Sequence, residues 1–260
     1  MDLNILLNKS AMPSTTSLTI LEHFKSQSLL KEERRLHVLS DIDDTLFSNL
    51  LDRRYPHKTV YPGVRQFYFE LNFSNEKIRD ANVRFDENGT LGTYGPGRNI
   101  TFLSARPRFL VANTLEKMNK LGLFGAAILP GDISHLVTNS RMMAKKLENF
   151  LQYRLLYPEV RFLFIGDNGQ GDLDLGKVLV KEHADQVNFV AIHNVLKKSK
   201  SGDSYVPPRA PECESVGITL FDTYAAAAFH ASLRGLLSFD AAQRVALACI
   251  EELSTVSSHL

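Results

Sequence analysis

Two aspartates separated by one residue follow the first strand-like apolar stretch and are the strongest chemical signal in the chain. They are Asp41 and Asp43, within the sequence D-I-D-D-T of residues 41–45. If a strand leads into this segment, alternate residues point the same way and the two carboxylates share one face. Carboxylates this close repel each other unless a divalent cation lies between them or one of them is protonated. The pattern suits one aspartate that attacks phosphorus and another that transfers protons, which predicts a phosphoryl-transfer enzyme.

A serine and three cationic residues further along the chain are candidates for binding a phosphoryl group. Ser104 ends an apolar, strand-like run, so its hydroxyl could donate to a phosphoryl oxygen held at the neighbouring strand. Arg106 could bind anionic oxygens, although a lone arginine is more often a solvated surface charge. Phosphoryl transfer also needs a cation that neutralises developing charge. Of Lys145 and Lys146, one is expected to face the site and the other the solvent.

The glycine-rich segment G-D-N-G-Q-G-D of residues 166–172 is a candidate metal site. Asp167 directly follows a buried apolar run, and Asp172 lies one short loop later. Mg²⁺ prefers oxygen ligands in octahedral geometry and usually takes few carboxylates together with water. A simple turn has a similar composition. The position of this segment, after a strand and downstream of D-I-D-D-T, favours the Mg²⁺ site.

The sequence lacks the signatures of several other enzyme classes. Its eight histidines form no zinc-binding pattern, and neither a nucleoside-triphosphate loop nor a G-x-S-x-G nucleophile elbow occurs. Asp44 alternates to the opposite face from Asp41 and is expected to be a structural hydrogen-bond acceptor.

Strand and helix patterns alternate along the chain, which predicts how the candidate residues are positioned. Strands are predicted near residues 36–40, 100–103, 126–129, 161–165, 187–195 and 218–221. Helices are predicted from about residue 64 and near residues 107–121, 139–156, 175–184, 223–236 and 240–254. The alternation predicts a three-layer, Rossmann-like α/β fold with a parallel sheet and helices on both faces. Such sheets bind ligands at the carboxyl ends of their strands, where the candidate residues lie.

The chain is predicted to hold one catalytic domain, residues 36–260, preceded by an N-terminal helical extension, residues 1–35. That extension is expected to dock on the core, and a helix on a membrane surface is the alternative. A small loop-type cover of the site is expected from residues 46–61 and 73–99.

Composition and charge narrow the functional classes. Thirty basic and 29 acidic residues give a net charge of +1, which provides no general attraction to nucleic acid. No apolar run is long enough to cross a bilayer. Cys213 and Cys249 are expected to be free thiols in a reducing compartment, which predicts a cytoplasmic location. Lys197, Lys198 and Lys200 could make peripheral contact with an anionic membrane, and a solvated loop is the alternative.

Four motifs, taken in order, resemble those of the haloacid dehalogenase-like hydrolases: D-I-D-D-T (41–45), F-L-S (102–104), Lys146 and G-D-N-G-Q-G-D (166–172). The chain is most similar to one branch, the actin-patch-associated phosphatidate phosphatases. That branch also carries the Y-P-G-V of residues 61–64 and a late segment like Gly217–Ala228. The resemblance spans about residues 36–237. One departure is Ala105-Arg106, which replaces a polar pair inside the second motif.

The resemblance implies roles for the motif residues. Asp41 would be the nucleophile and Asp43 the general acid/base, while Ser104 and Lys146 would hold the phosphoryl group. The candidate substrate-binding residues are Thr45, Ser104, Arg106 and Lys146. The candidate Mg²⁺ ligands are Asp41, Asp43 (through its backbone carbonyl), Asp167 and Asp172.

The resemblance favours phosphatidate as the substrate, hydrolysed to diacylglycerol through an aspartyl-phosphate. Two alternatives stay open from the sequence. One is a phosphatase that acts on a soluble phosphorylated metabolite, and the other is a non-catalytic scaffold that binds lipid.

Overall fold

The computed structural model of the chain describes residues 36–49, 51–72, 100–123, 126–131, 138–157, 160–169, 171–196 and 207–257. Six strands form one parallel sheet in the order β3-β2-β1-β4-β5-β6. They are β1 (Leu36–Ser40), β2 (Ile100–Pro107), β3 (Ala127–Gly131), β4 (Arg161–Asp167), β5 (Val187–His193) and β6 (Ile218–Phe221).

Seven α-helices are described around this sheet. They are α1 (Val64–Asn72), α2 (Val111–Lys120), α3 (Asn139–Leu156), α4 (Asp172–Glu182), α5 (Ala210–Ser215), α6 (Tyr224–Leu233) and α7 (Phe239–Ser257). A short 3₁₀ turn, Arg108–Leu110, joins β2 to α2.

The core lies in two layers because successive residues of each strand face opposite sides of the sheet. Val38 of β1 belongs to an apolar cluster that includes residues of α1, α6 and α7. Its neighbour Leu39 belongs to a second cluster, formed with residues of α3, α4 and α5. Both side chains are completely buried, as expected for a parallel sheet that is covered on both faces. The predicted three-layer α/β fold is confirmed.

The order of the strands creates a crevice beside β1. From β1 the chain proceeds to β2 and β3 on one side, and it then crosses back to β4 on the other side. The connections therefore diverge at the carboxyl ends of β1 and β4, which is where open α/β sheets bind their ligands. Asp41 follows β1 directly and Asp167 ends β4, so both lie at this position.

The prediction that Pro107 opens a helix is wrong. Pro107 is the last residue of β2, with an extended ψ of 154°, and it pairs with Gly131 of β3 after a shift in register. The fixed φ of proline suits either a first helical turn or an extended strand, and the pairing with β3 selects the strand. The α-helix then begins at Val111.

Two further helix predictions differ from the structure. The helix predicted from residue 175 begins at Asp172, and the acidic side chains of Asp172 and Asp174 in its first turn are favourable at a helix amino terminus. Helix α5 lies between the strands predicted near 187–195 and 218–221, where no helix was predicted.

Some predictions fall on residues outside the described ranges. These are the N-terminal helical extension (1–35), the second part of the cover (73–99) and the three lysines at 197, 198 and 200. Within the described ranges, no helix combines the length and apolar character needed to span a bilayer.

A buried histidine anchors the amino end of β1, away from the crevice. Nε2 of His37 lies 3.0 Å from Oγ1 of Thr101 and 3.1 Å from the Tyr153 hydroxyl. The imidazole also packs against the rings of Tyr157 and Phe162. Burial lowers the pKa of His37 to about 4. The neutral ring is therefore part of the core.

This burial predicts a pH-dependent loss of stability. An unfolded chain protonates His37 near pH 6.5 and the folded chain only near pH 4. The contribution of His37 to the free energy of unfolding is therefore fully present above about pH 6.5. Between pH 6.5 and pH 4 the free energy of unfolding falls by up to about 1.4 kcal/mol per pH unit because of this residue. We expect His37→Gln to show a smaller fall in Tm between about pH 7 and pH 5 than the native chain.

The matched control is His57→Gln, which changes an exposed histidine. It should keep the native dependence of Tm on pH. If His37→Gln also kept the native dependence, burial of a neutral imidazole would not be the cause.

Candidate active site

A buried lysine joins two aspartates at the carboxyl edge of the sheet. Lys146 of α3 is 1% exposed, and its Nζ lies 2.7 Å from Oδ1 of Asp41 and 2.6 Å from Oδ1 of Asp172. Burial acts to lower the pKa of Lys146, but the two carboxylates outweigh it and raise the pKa above the ordinary value. The ammonium group therefore stays protonated. Removing one partner of such a buried pair typically costs about 3–5 kcal/mol.

Lys146 faces the site because it lies on the buried face of helix α3. Lys146, Asn149 and Phe150 are the buried residues of this helix, and their spacing of three and four places them on one face. Nδ2 of Asn149 donates to the carbonyls of Leu129 and Pro130, which fixes the helix against β3. Lys145 faces outward and pairs with an exposed glutamate of the same helix.

Two glycines of the G-D-N-G-Q-G-D segment allow Asp172 to approach the tip of β4. A Cβ at Gly166 would lie 2.6 Å from the Cβ of Asp172. Gly171 has a φ of +86°, and a Cβ there would lie 2.6 Å from the carbonyl oxygen of Asn139. This close approach lets Oδ2 of Asp172 accept a hydrogen bond of 3.4 Å from the backbone N–H of Asp167.

Three buried carboxylates converge on one position and are suited to a metal ion. Asp41, Asp167 and Asp172 each offer an oxygen, and these oxygens lie within 4.8 Å of one another. Oδ2 of Asp41 and Oδ2 of Asp167 are buried and have no hydrogen-bond partner among the described residues. Unsatisfied buried carboxylate oxygens are costly. Oxygen ligands of this kind fit a hard divalent cation.

The charges of the cluster support this interpretation. Burial raises the pKa of Asp41 to about 7, against the lowering effect of Lys146 and with a further raising effect of Asp172 and Asp43. Burial, followed by the charges of Asp172 and Asp41, raises the pKa of Asp167 well above its ordinary value. One ammonium group does not compensate three carboxylates, so ionisation of all three favours an additional cation.

Asp43 lies in a different environment although it is two residues from Asp41. Its carboxylate accepts hydrogen bonds of 2.9 and 2.6 Å from the guanidinium of Arg106 and one of 3.1 Å from Nζ of Lys58. Burial alone would raise the pKa of Asp43, but Arg106 and Lys58 outweigh it and lower the pKa. The carboxylate of Asp43 is not part of the three-carboxylate cluster. A metal contact through its backbone carbonyl stays a prediction.

Ser104, Arg106 and Thr45 complete the set of predicted site residues. Oγ of Ser104, a residue that is 2% exposed, accepts a hydrogen bond of 3.1 Å from the backbone N–H of Arg106. The guanidinium of Arg106 also donates to Oγ1 of Thr114, at 3.1 Å. The hydroxyl of Thr45 is buried and has no partner in the described part of the chain. It therefore has donor capacity for a bound group.

Asp44 builds the loop that follows the D-I-D-D-T segment, which we call the cover loop (residues 46–61). Asp44 has a φ of 58°, and its carboxylate accepts from the backbone N–H groups of Asn49, Leu51 and Asp52. The prediction of a structural hydrogen-bond acceptor is confirmed.

The residues that hold the cover loop in place were not among the predicted site residues. Two nitrogens of Arg54 lie 2.9 and 2.7 Å from the carboxylate of Asp52, which also accepts from the Tyr61 hydroxyl at 2.9 Å. Arg54 further contacts Nε2 of His193, at 3.1 Å, at the end of β5. Lys58, which reaches Asp43, was missed as well. Charged residues are common in surface loops, so no spacing signal distinguishes these side chains.

The comparison with known families agrees with this geometry. Residues 36–194 match the family described as "Phosphatidate phosphatase APP1, catalytic domain". The chain belongs to this family. The family match implies a phosphoric monoester hydrolase and a phosphorylated lipid substrate. Searches of curated proteins and of solved structures gave no significant match.

The match to the phosphatidate phosphatase family includes the whole candidate site. The predicted site residues that fall within it are Asp41, Asp43, Thr45, Ser104, Arg106, Lys146, Asp167 and Asp172. The late segment Gly217–Ala228 lies beyond the matched residues, so its resemblance to the family stays a prediction.

A divalent cation is expected to stabilise the folded chain through the three-carboxylate cluster. Ligands that bind only the folded state raise Tm by mass action, so Mg²⁺ should raise the Tm of the native chain. Asp167→Asn removes one negative charge and one unpaired oxygen. We expect this variant to have a higher Tm than the native chain without metal, and to lose the increase caused by Mg²⁺. Thermal unfolding with chelator and with Mg²⁺ measures both effects.

The control is Asp174→Asn, whose side chain is 67% exposed on α4. It should keep the native response to Mg²⁺. A response of native size in Asp167→Asn would contradict metal binding at the cluster.

Proposed function

We propose that this chain is a Mg²⁺-dependent phosphatase of the haloacid dehalogenase-like type that hydrolyses phosphatidate to diacylglycerol. The observation that supports it most is the environment of Asp41. One carboxylate oxygen is bound by a buried ammonium group, while the other is buried and has no hydrogen-bond partner among the described residues. Membership of the phosphatidate phosphatase family supports the lipid substrate.

Asp41 is the proposed nucleophile. Lys146 donates to Oδ1, which orients the carboxylate for attack on phosphorus in line with the leaving oxygen. The new bond between a carboxylate oxygen of Asp41 and phosphorus forms as the bond from phosphorus to the diacylglycerol oxygen breaks. Asp43 gives a proton to that leaving oxygen and then takes one from the water that hydrolyses the aspartyl-phosphate.

The cluster of Asp41, Asp167 and Asp172 would hold Mg²⁺, which supplies the positive charge that allows an anionic phosphate to approach ionised carboxylates. Lys146 adds a fixed positive charge on the same side. The hydroxyls of Thr45 and Ser104 would donate hydrogen bonds to phosphoryl oxygens.

Arg106 is proposed to exchange partners when the substrate binds. In this structure Arg106 makes a bidentate ion pair with Asp43. This pair stabilises the ionised form of the carboxylate. A general acid must carry a proton, so Asp43 needs to leave this pair before the leaving oxygen is protonated. A phosphoryl group presents two oxygens in the same fork geometry as a carboxylate, so it can replace Asp43 on Arg106.

The first test of this function is phosphate release from short-chain phosphatidate with Mg²⁺. Asp41→Asn keeps the shape of the side chain but removes the nucleophilic charge, and it should lose turnover by several orders of magnitude. Its circular dichroism and Tm should show a folded chain. Full activity in Asp41→Asn would exclude the aspartyl-phosphate mechanism.

The same assay separates the alternatives. Asp174→Asn is the control and should retain native turnover, because that side chain pairs only with an exposed lysine in the described structure. If the native chain cleaved an aryl phosphate but not phosphatidate, the mechanism would stand and the lipid substrate would be wrong. Inactivity on both substrates would favour the scaffold.

A second test concerns substrate binding by Arg106. Hydrogen bonds to charged groups are worth about 1.5–3 kcal/mol, which corresponds to roughly a 10- to 100-fold change in affinity. We therefore expect Arg106→Gln to raise KM for the phosphate monoester by about 10- to 100-fold, with a smaller effect on kcat. Arg106→Lys keeps the charge but loses the bidentate geometry of the guanidinium. Its KM should therefore lie between that of the native chain and that of Arg106→Gln. An unchanged KM with a large fall in kcat would contradict the exchange of partners.

A further inference from the structure

Two exposed apolar side chains lie at the rim of the active site, in the turn that follows β2. Phe109 is 71% exposed and Leu110 is 38% exposed. The turn is tied to the site by a short series of contacts. Arg106 binds both Asp43 and Thr114, and Oγ1 of Thr114 donates to the carbonyl of Leu110 at 2.8 Å. The apolar pair is therefore close to the catalytic edge of the sheet.

Two exposed cationic side chains lie at this edge of the sheet. Arg108 directly precedes Phe109, and Lys58 belongs to the cover loop. Lys58 extends to Asp43, which places it at the same rim. The chain has a net charge of only +1, so the positive rim is a local feature and not the result of a basic composition. Exposed apolar side chains among cations are typical of surfaces that bind anionic bilayers.

We propose that this rim docks on an anionic lipid surface. The rim consists of Lys58 of the cover loop and the turn Arg108–Leu110. Phe109 and Leu110 enter the acyl region just below the headgroups, while the cations bind lipid phosphates. The inference rests on the proposed function, because phosphatidate is held in a bilayer. Asp41 is only 3% exposed, so a headgroup has to enter the site from an adjoining surface, and the rim adjoins it through Arg106 and Thr114.

A second exposed apolar surface provides the contrast. Leu233 and Phe239 are each 68% exposed. Their location is determined by α6. This helix begins just after the carboxyl end of β6, packs along the sheet and ends at Leu233. Ten helical residues span about 15 Å, so Leu233 and Phe239 lie towards the opposite edge of the sheet. A bilayer bound there would face away from the catalytic edge.

The decisive experiment uses the absence of tryptophan from the sequence. Phe109→Trp and Phe239→Trp each introduce a single fluorophore, at sites of nearly equal exposure. Each full-length variant is mixed with vesicles of phosphatidylcholine alone and with vesicles that also contain phosphatidylserine. We expect a blue shift of emission for Phe109→Trp with the anionic vesicles, and no shift for Phe239→Trp. No shift for Phe109→Trp, or a shift for Phe239→Trp alone, would overturn the proposal.

Vesicle co-sedimentation tests the contribution of each part of the rim. We expect Phe109→Ser to weaken binding to phosphatidylserine-containing vesicles about tenfold, since one buried aromatic side chain is lost. Arg108→Gln should weaken it by about fivefold and reduce its dependence on salt. Phe239→Ser should bind like the native chain. Equal losses in Phe109→Ser and Phe239→Ser would contradict a specific rim.

Activity separates the failure of this inference from failure of the proposed function. Phe109→Ser should cleave soluble short-chain phosphatidate at the native rate and long-chain phosphatidate in vesicles more slowly. If the native chain cleaved no phosphatidate while Phe109→Trp still showed the blue shift, the docking surface would stand and the substrate would be wrong. If phosphatidate were cleaved and no blue shift occurred, the docking surface would be wrong.

Discussion

The structure of the active edge depends on the burial of one ammonium group among three carboxylates. Lys146 is 1% exposed, and the three aspartates around it are 3% exposed or less. Charges removed from water are tolerated only when they are paired at short distance. One member of this group comes from each of α3, α4, β4 and the segment directly after β1, so the relative positions of these elements are fixed together. The excess of two negative charges that remains when all three carboxylates are ionised is the physical reason for expecting a divalent cation.

The same segment of chain holds two carboxylates whose environments push their pKa values in opposite directions. Burial raises the pKa of Asp41, whereas the pKa of Asp43 is lowered because Arg106 and Lys58 outweigh burial. Divergent environments of this kind are how a pair of like residues acquires different chemical roles. The division depends on the cover loop, which Asp44 shapes from within and which delivers Lys58 to Asp43. The loop therefore contributes to the electrostatic environment of Asp43.

The sequence predicted the fold well where a single local signal dominated. The strands at 36–40 and 218–221 have the predicted bounds, because apolar runs there end at charged or turn-forming residues. Pro107 was misplaced because its φ is compatible with two structures, and the partner that decides between them lies on β3. The adjacent pair Lys145 and Lys146 predicts only that one lysine faces the site. The resemblance of the motifs selected Lys146, and its place beside Asn149 and Phe150 on the buried face of α3 gives the physical reason.

Contacts across the fold explain what the sequence could not supply, and Arg106 is the clearest case. A lone arginine after a strand has an ordinary surface interpretation, and its pairing with Asp43, 63 residues away, arises only when β1 and β2 become neighbours. The same guanidinium reaches Thr114, which supports the exposed turn at Phe109. Arg106 thus connects the carboxylate of Asp43 in the site with Thr114, which supports the turn Arg108–Leu110.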